Sequence, residues 1–177
     1  MRVGRLRVLT GPMFSNKTEN LIAMARSMNE DERGIYKPIT DTRHGDGIIE
    51  SHKGTTIPAL WTDLDLLDVE TDGVSQIFVD EAQFLNESAV KQIQTFLRAG
   101  INITLSGLDL DYRGLPFGIM PVLLAYADVV LKLTATCSIC GGVSNRTHRK
   151  VQSDELILIG GDESYDTRCL ICYPIES

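Results

Sequence analysis

Gly11-Pro12-Met13-Phe14-Ser15-Asn16-Lys17-Thr18 is the stretch on which the reading of this chain turns. It follows the pattern G-x-x-x-x-G-K-[ST] of a phosphate-binding loop at every fixed position but one, where Asn16 replaces the second glycine. Such a loop wraps backbone N–H groups around phosphate oxygens at the positive end of a helix, which requires residues at positive φ. Asparagine is the non-glycine residue that enters the left-handed region most readily, so the cradle is expected to form with Asn16 in that conformation. Gly11 through Asn16 would then enclose the phosphates. Lys17 would reach the β- and γ-phosphates, and the Thr18 hydroxyl would bind Mg²⁺. The plainer alternative is a tight strand-to-helix turn with an exposed lysine. The flanks favour the cradle: an apolar strand centred on Val8-Leu9 precedes it, and a helix from about Thr18 to Met28, with Leu21, Ile22 and Ala25 on one face, follows.

Further strands centre on Ile77-Phe78-Val79, Ile101 to Leu105 and Val129-Val130-Leu131, with a weaker one at Ile35-Tyr36. A second helix is expected from Asn86, as N-cap, to a stop at Gly100, with Val90, Ile93, Phe96 and Leu97 at helical spacing. A third spans about Ile119 to Ala127. Strands alternating with helices predict an α/β fold with a mainly parallel sheet. Residues 38–56 read as a long irregular loop. The character changes near Thr136, so the expected division is a P-loop α/β domain at 1–135 and a small module at 136–177.

Gln76-Ile77-Phe78-Val79-Asp80-Glu81 has the form of a strand that delivers an acidic pair to the carboxyl edge of the sheet, where ligands of open α/β sheets bind. Asp80 is suited to hold Mg²⁺ in the crevice that Lys17 faces, and Glu81 to act as a general base. The alternative is an ordinary acidic turn. The four cysteines, Cys137, Cys140, Cys169 and Cys172, form two C-x-x-C knuckles. That spacing points to structural Zn²⁺ held by four thiolates, with no open position for catalysis. Disulfides are the competing assignment, disfavoured without a secretion signal.

Bulk properties narrow the partners. With 43% hydrophobic and 23% charged residues the chain can bury a core, and its net charge of −7 argues against nucleic acid as the main partner. No run approaches the roughly 18 apolar residues of a membrane span. Arg2, Arg5 and Arg7 interrupt the N-terminal apolar segment, so no signal peptide is read there and a cytoplasmic location is expected.

Beyond these motifs the chain resembles the type II thymidine kinases, the zinc-containing family, from about Leu9 to Tyr173. The resemblance rests on the order and spacing of Gly11-Pro12-Met13-Phe14-Ser15, Lys37-Pro38 with Asp41-x-Arg43, Ser51-His52-x-Gly54 and Asp80-Glu81-Ala82-Gln83-Phe84. It continues through Gly107-Leu108-Asp109, Arg113-Gly114-x-Pro116-Phe117-Gly118, Lys132-Leu133-Thr134-Ala135 and Ile159-Gly160-Gly161 with Tyr165. The chain departs from the family pattern at Asn16, in the polar stretch Asn29 to Gly34, and at His44, where Tyr is frequent.

The resemblance implies a RecA-like core and a zinc ribbon whose lasso loop closes over a nucleoside. It implies ATP-dependent phosphorylation of thymidine, with Glu81 as base on the 5′-hydroxyl and Asp41, Arg43 and Gln83 grouped with the ATP and Mg²⁺ residues. It further implies a thymine pocket of Met13, Phe84, Leu108, Phe117, Thr147 and Tyr165, with backbone groups of Leu156, Ile157, Leu158, Ile159 and Gly160 on the base. A homotetramer inhibited by thymidine triphosphate is the expected form. On the residues alone, core packing for Phe84 and Phe117, a plain strand position for Thr147 and ribbon packing for Tyr165 stay open. Two other functions also stay open: a nucleic-acid-dependent ATPase with a zinc ribbon, and an inactive homologue that binds thymidine or its triphosphate.

Overall fold

The computed structural model describes residues 3–40, 47–152, 155–158 and 160–174. In chain order its elements are β1 (Leu6–Thr10), α1 (Lys17–Arg26), β2 (Arg33–Pro38), β3 (Ile48–Glu50), β4 (Thr56–Pro58), β5 (Leu60–Thr62), β6 (Gln76–Val79), α2 (Ala89–Arg98), β7 (Asn102–Gly107), α3 (Met120–Tyr126) and β8 (Val129–Lys132). Four short strands follow: β9 (Ala135–Thr136), β10 (Val143–Ser144), β11 (Arg146–Arg149) and β12 (Tyr165–Arg168).

Six strands form one sheet in the order β5-β2-β6-β7-β1-β8, and every pairing in it is parallel. A parallel sheet must be covered on both faces, and the side-chain alternation of its strands sorts the core accordingly. Leu6 and Val8, Ile77 and Val79, Ile103 and Leu105 face α2 and α3, where Ala89, Ile93, Phe96, Met120 and Leu123 meet them. Leu9, Ile35 and Phe78 point the other way, against Leu21, Ile22 and Ala25 of α1. The expected α/β fold with a mainly parallel sheet is therefore the observed one.

Helix α2 shows where local sequence held and where it did not. Its end is a Schellman turn: Ile101 N–H donates to Phe96 O (3.1 Å), Gly100 N–H to Leu97 O (3.0 Å), and Gly100 stands at φ 89°. Its start differs from the expected Asn86 cap. The helix begins at Ala89, because Asn86 spends its side chain on Asp65 Oδ1 (3.1 Å) and its carbonyl on Ala89 N–H (3.1 Å) in a preliminary turn.

The stretch 38–56 is not wholly irregular either. β3 and β4 pair antiparallel as a hairpin, whose tip at Ser51 to Thr55 packs beside the phosphate loop. Past β8 the sheet stops, and β9 with β10 and β11 with β12 form two antiparallel pairs near the cysteines. Among the described residues no helix is long and apolar enough to cross a membrane.

Leu105 is fully buried in the central strand β7. Leu105→Ala is expected to lower the unfolding free energy by about 2–5 kcal/mol, through lost transfer energy and the cavity left behind. A urea titration checks this as a fall in midpoint at constant slope.

Candidate active site

The phosphate loop leaves β1 at the carboxyl edge of the sheet and enters α1. Asn16 sits at φ 61°, ψ 29°, in the left-handed conformation the sequence requires of it, and Phe14 also stands at φ 61°. Ser15 Oγ and Lys17 Nζ both donate to the Pro12 carbonyl, at 2.8 and 2.7 Å, so the loop is closed on itself by its own side chains. Thr18 Oγ1 donates to Asp80 Oδ2 (2.9 Å), which joins the start of α1 to the end of β6. Two hard oxygen ligands therefore stand side by side below the loop, the donor chemistry Mg²⁺ prefers.

Glu81 follows Asp80 at φ 53°, ψ 41°, again left-handed. Its carboxylate accepts a hydrogen bond from Gln83 Nε2, while Gln83 Oε1 accepts from Leu108 N–H (3.0 Å). The amide bond from Leu108 fixes which end of the carboxamide faces Glu81. Gln83 therefore lies between Glu81 and the end of β7. Gly118, at φ 50°, makes this packing possible: a Cβ there would lie 2.2 Å from the Gln83 carbonyl oxygen.

These groups open on one cleft. Of the residues singled out in the sequence, Met13, Phe14, Ser15, Asn16, Lys17 and Thr18 line it, as do Glu81, Gln83 and Phe84. Leu108, Phe117, Thr147 and Tyr165 line it too, with Leu156, Ile157, Leu158 and Gly160. Phe84 meets Phe117 edge-on at 6.1 Å. Gly11, Pro12 and Asp80 are not among its lining residues, but Pro12 is bonded to Ser15 and Lys17 and Asp80 to Thr18, which are. Asp41, Arg43 and Ile159 lie outside the described residues, as does His44.

Thr147 does more than fill a strand position. It is buried on β11, and its Oγ1 accepts the Met13 N–H at 2.9 Å, a bond that ties the β11–β12 pair to the phosphate loop. On the opposite flank Ser51 Oγ (2.6 Å) and Thr55 Oγ1 (3.1 Å) donate to Glu19 in the first turn of α1. The Ser51 hydroxyl is the main group holding the Glu19 carboxyl below its ordinary pKa. His52 stacks on Phe14, with ring centroids 4.6 Å apart. Sequence reading did not find Glu19, which lines the cleft along with Tyr112, because a single Glu in a helix carries no pattern.

The four cysteine sulfurs lie within 4.8 Å of one another, and Cys140 Sγ to Cys169 Sγ measures 3.7 Å. A tetrahedron of Zn–S bonds of ~2.3 Å has edges of about 3.8 Å, so the set fits that ion. N–H groups of Cys169, Cys140 and Ile139 pull the Cys137 thiol down to about 6, while Cys172, sharing its proton with Cys169, Cys140 and Cys137, is pushed up to about 12. Such crowding of sulfurs suits a cation in place of that proton.

The family model for thymidine kinase matches residues 4–173. The chain belongs to the thymidine kinase family. Curated thymidine kinases from two strains of Bacteroides fragilis are 37% identical to it over 175 residues, 97% of this chain and 88% of each relative. A thymidine kinase is a nucleoside kinase, and ATP use is implied by membership of the family.

Because Asn16 is left-handed, Asn16→Gly is expected to fold and bind ATP at least as well as the parent. Asn16→Val is expected to lose about 1–2 kcal/mol of stability, since a β-branched residue resists that conformation. Thermal unfolding and ATP titration of both variants check the pair.

Proposed function

We propose that this protein transfers the γ-phosphate of ATP to the 5′-hydroxyl of thymidine, giving thymidine monophosphate. The observation that carries the proposal is a carboxylate, Glu81, opening on the same cleft as a phosphate loop, in a member of the thymidine kinase family. Loop N–H groups and Lys17 hold the triphosphate. Thr18 and Asp80 would hold Mg²⁺, which supplies charge neutralisation between the β- and γ-phosphates when bound. Glu81 takes the proton from the 5′-hydroxyl, and Gln83 keeps its carboxylate aimed. Phe84, Phe117 and Met13 form the apolar floor for the thymine ring, with the Tyr165 ring and Leu156, Ile157, Leu158 and Gly160 completing the pocket. Exclusion of water by that cover protects the phosphoryl group from hydrolysis.

The remaining parts of the proposal rest on the resemblance to the family. Asp41 and Arg43 belong with the phosphates. Residues 1–135 form the ATP-binding domain, and residues 136–177 form a zinc-ribbon domain that closes over the nucleoside. A homotetramer, inhibition by thymidine triphosphate and a cytoplasmic location complete it.

Glu81→Gln is expected to lower turnover by about 10²- to 10⁴-fold, the usual contribution of a general base, while ATP affinity changes little. Near-normal turnover in that variant removes Glu81 from the base role. Chelation of zinc is expected to lower the melting temperature and to abolish thymidine binding, because β11 and β12 carry Thr147 and Tyr165. Calorimetry with and without chelator checks this, and an unchanged transition rules out a structural metal.

A further inference from the structure

Arg149 lies outside the cleft lining and in none of the motifs above, yet it is buried at 8% exposure with a full charge. A guanidinium is rarely buried unless its donors are placed. On β11 it shares a face with Thr147, which binds the phosphate loop, and it pairs in register with Tyr165 of β12. Its Nη1 donates to the Glu155 carbonyl (2.5 Å), and its Nη2 to the Leu156 carbonyl (3.0 Å) and to Tyr165 Oη (3.2 Å). Tyr165 Oη in turn donates to the Leu158 carbonyl (2.7 Å). Above the plane of the guanidinium lies the Tyr112 ring, with Cζ 3.6 Å from its centroid. The Tyr112 carbonyl accepts from the Tyr173 hydroxyl, so the ring's loop is itself anchored.

One side chain thus gathers three separate pieces of the cleft wall. Those are the 155–158 segment, Tyr165, and the loop carrying Tyr112. We propose that Arg149 is the positioning residue that sets the closed form of the 155–158 segment over the nucleoside, and that it thereby controls nucleoside affinity and not ATP affinity. The proposal rests on the kinase reading given above. A planar fork can serve two carbonyls and a hydroxyl while stacking on a ring. An ammonium cannot do all of these, so lysine is not a conservative replacement here. Without the fork, carbonyls 155 and 156 turn to water and the segment loses its fixed path. Thymidine binding must then supply the ordering that Arg149 supplies in the parent.

The test compares the full zinc-loaded protein with Arg149→Lys and Arg149→Ala. The KM for thymidine is expected to rise about ten- to hundredfold, the scale of a charge-assisted hydrogen bond lost, with the KM for ATP within about twofold. In the absence of any nucleotide, thermolysin is expected to cut before Leu156, Ile157 or Leu158 faster in both variants than in the parent, as mapped by mass spectrometry. If the Arg149 variants do not fold, Tyr112→Leu takes their place in the cleavage assay and is expected to speed the same cuts. An unchanged thymidine KM in Arg149→Lys, with the parent active, overturns the proposal. A parent inactive on all nucleosides overturns the kinase reading instead. Cleavage then decides the positioning role: faster cutting in the variant sustains it, and equal cutting rejects it.

Discussion

Parallel pairing of β1, β7 and β6 is the constraint from which the cleft follows. Because these strands run the same way, all three end on one edge of the sheet. The phosphate loop after β1, the Asp80-Glu81 pair after β6 and Leu108 after β7 must therefore converge. The Thr18–Asp80 and Gln83–Leu108 hydrogen bonds are the local consequence, each joining the ends of two different elements. The β11–β12 pair is added to that edge from the side by the Met13–Thr147 bond. The wall that completes the cleft is thus fixed to the same loop that cradles phosphate.

Strain is concentrated where this convergence occurs. Four described non-glycine residues have positive φ: Phe14, Asn16, Glu81 and Leu66. Three of them line the cleft. Each left-handed residue costs on the order of 1 kcal/mol and is held by surrounding contacts, here His52 on Phe14 and Gln83 on Glu81. For Glu81 the gain is direction. A left-handed turn immediately after the strand sends Asp80 towards Thr18 and Glu81 towards Gln83 and the cleft.

Much of this was legible because it is written in local chemistry. The positive φ of Asn16 follows from its place in the loop pattern, and the stop of α2 at Gly100 follows from glycine's freedom there. The two cysteine knuckles announced their cluster by spacing alone. What escaped depends on contacts between distant segments. Asn86 was the natural helix cap until Asp65 claimed its amide. Strands β3, β4 and β5 have three residues each, too short for a two-residue period to show. Lys37 is buried in β2 with its ammonium 4.2 Å from the Trp61 ring centroid, a pairing that only the β2–β5 register creates. Arg149 escaped for the same reason, since its partners lie on three different segments.

On this reading a phosphate loop carrying Asn16 in place of glycine serves a thymidine-phosphorylating cleft. Transfer of labelled γ-phosphate from ATP·Mg²⁺ to thymidine, deoxyuridine, uridine, deoxycytidine and deoxyadenosine tests it most directly. Turnover dominated by thymidine is expected. Folded, zinc-loaded protein that phosphorylates none of the five nucleosides would contradict it.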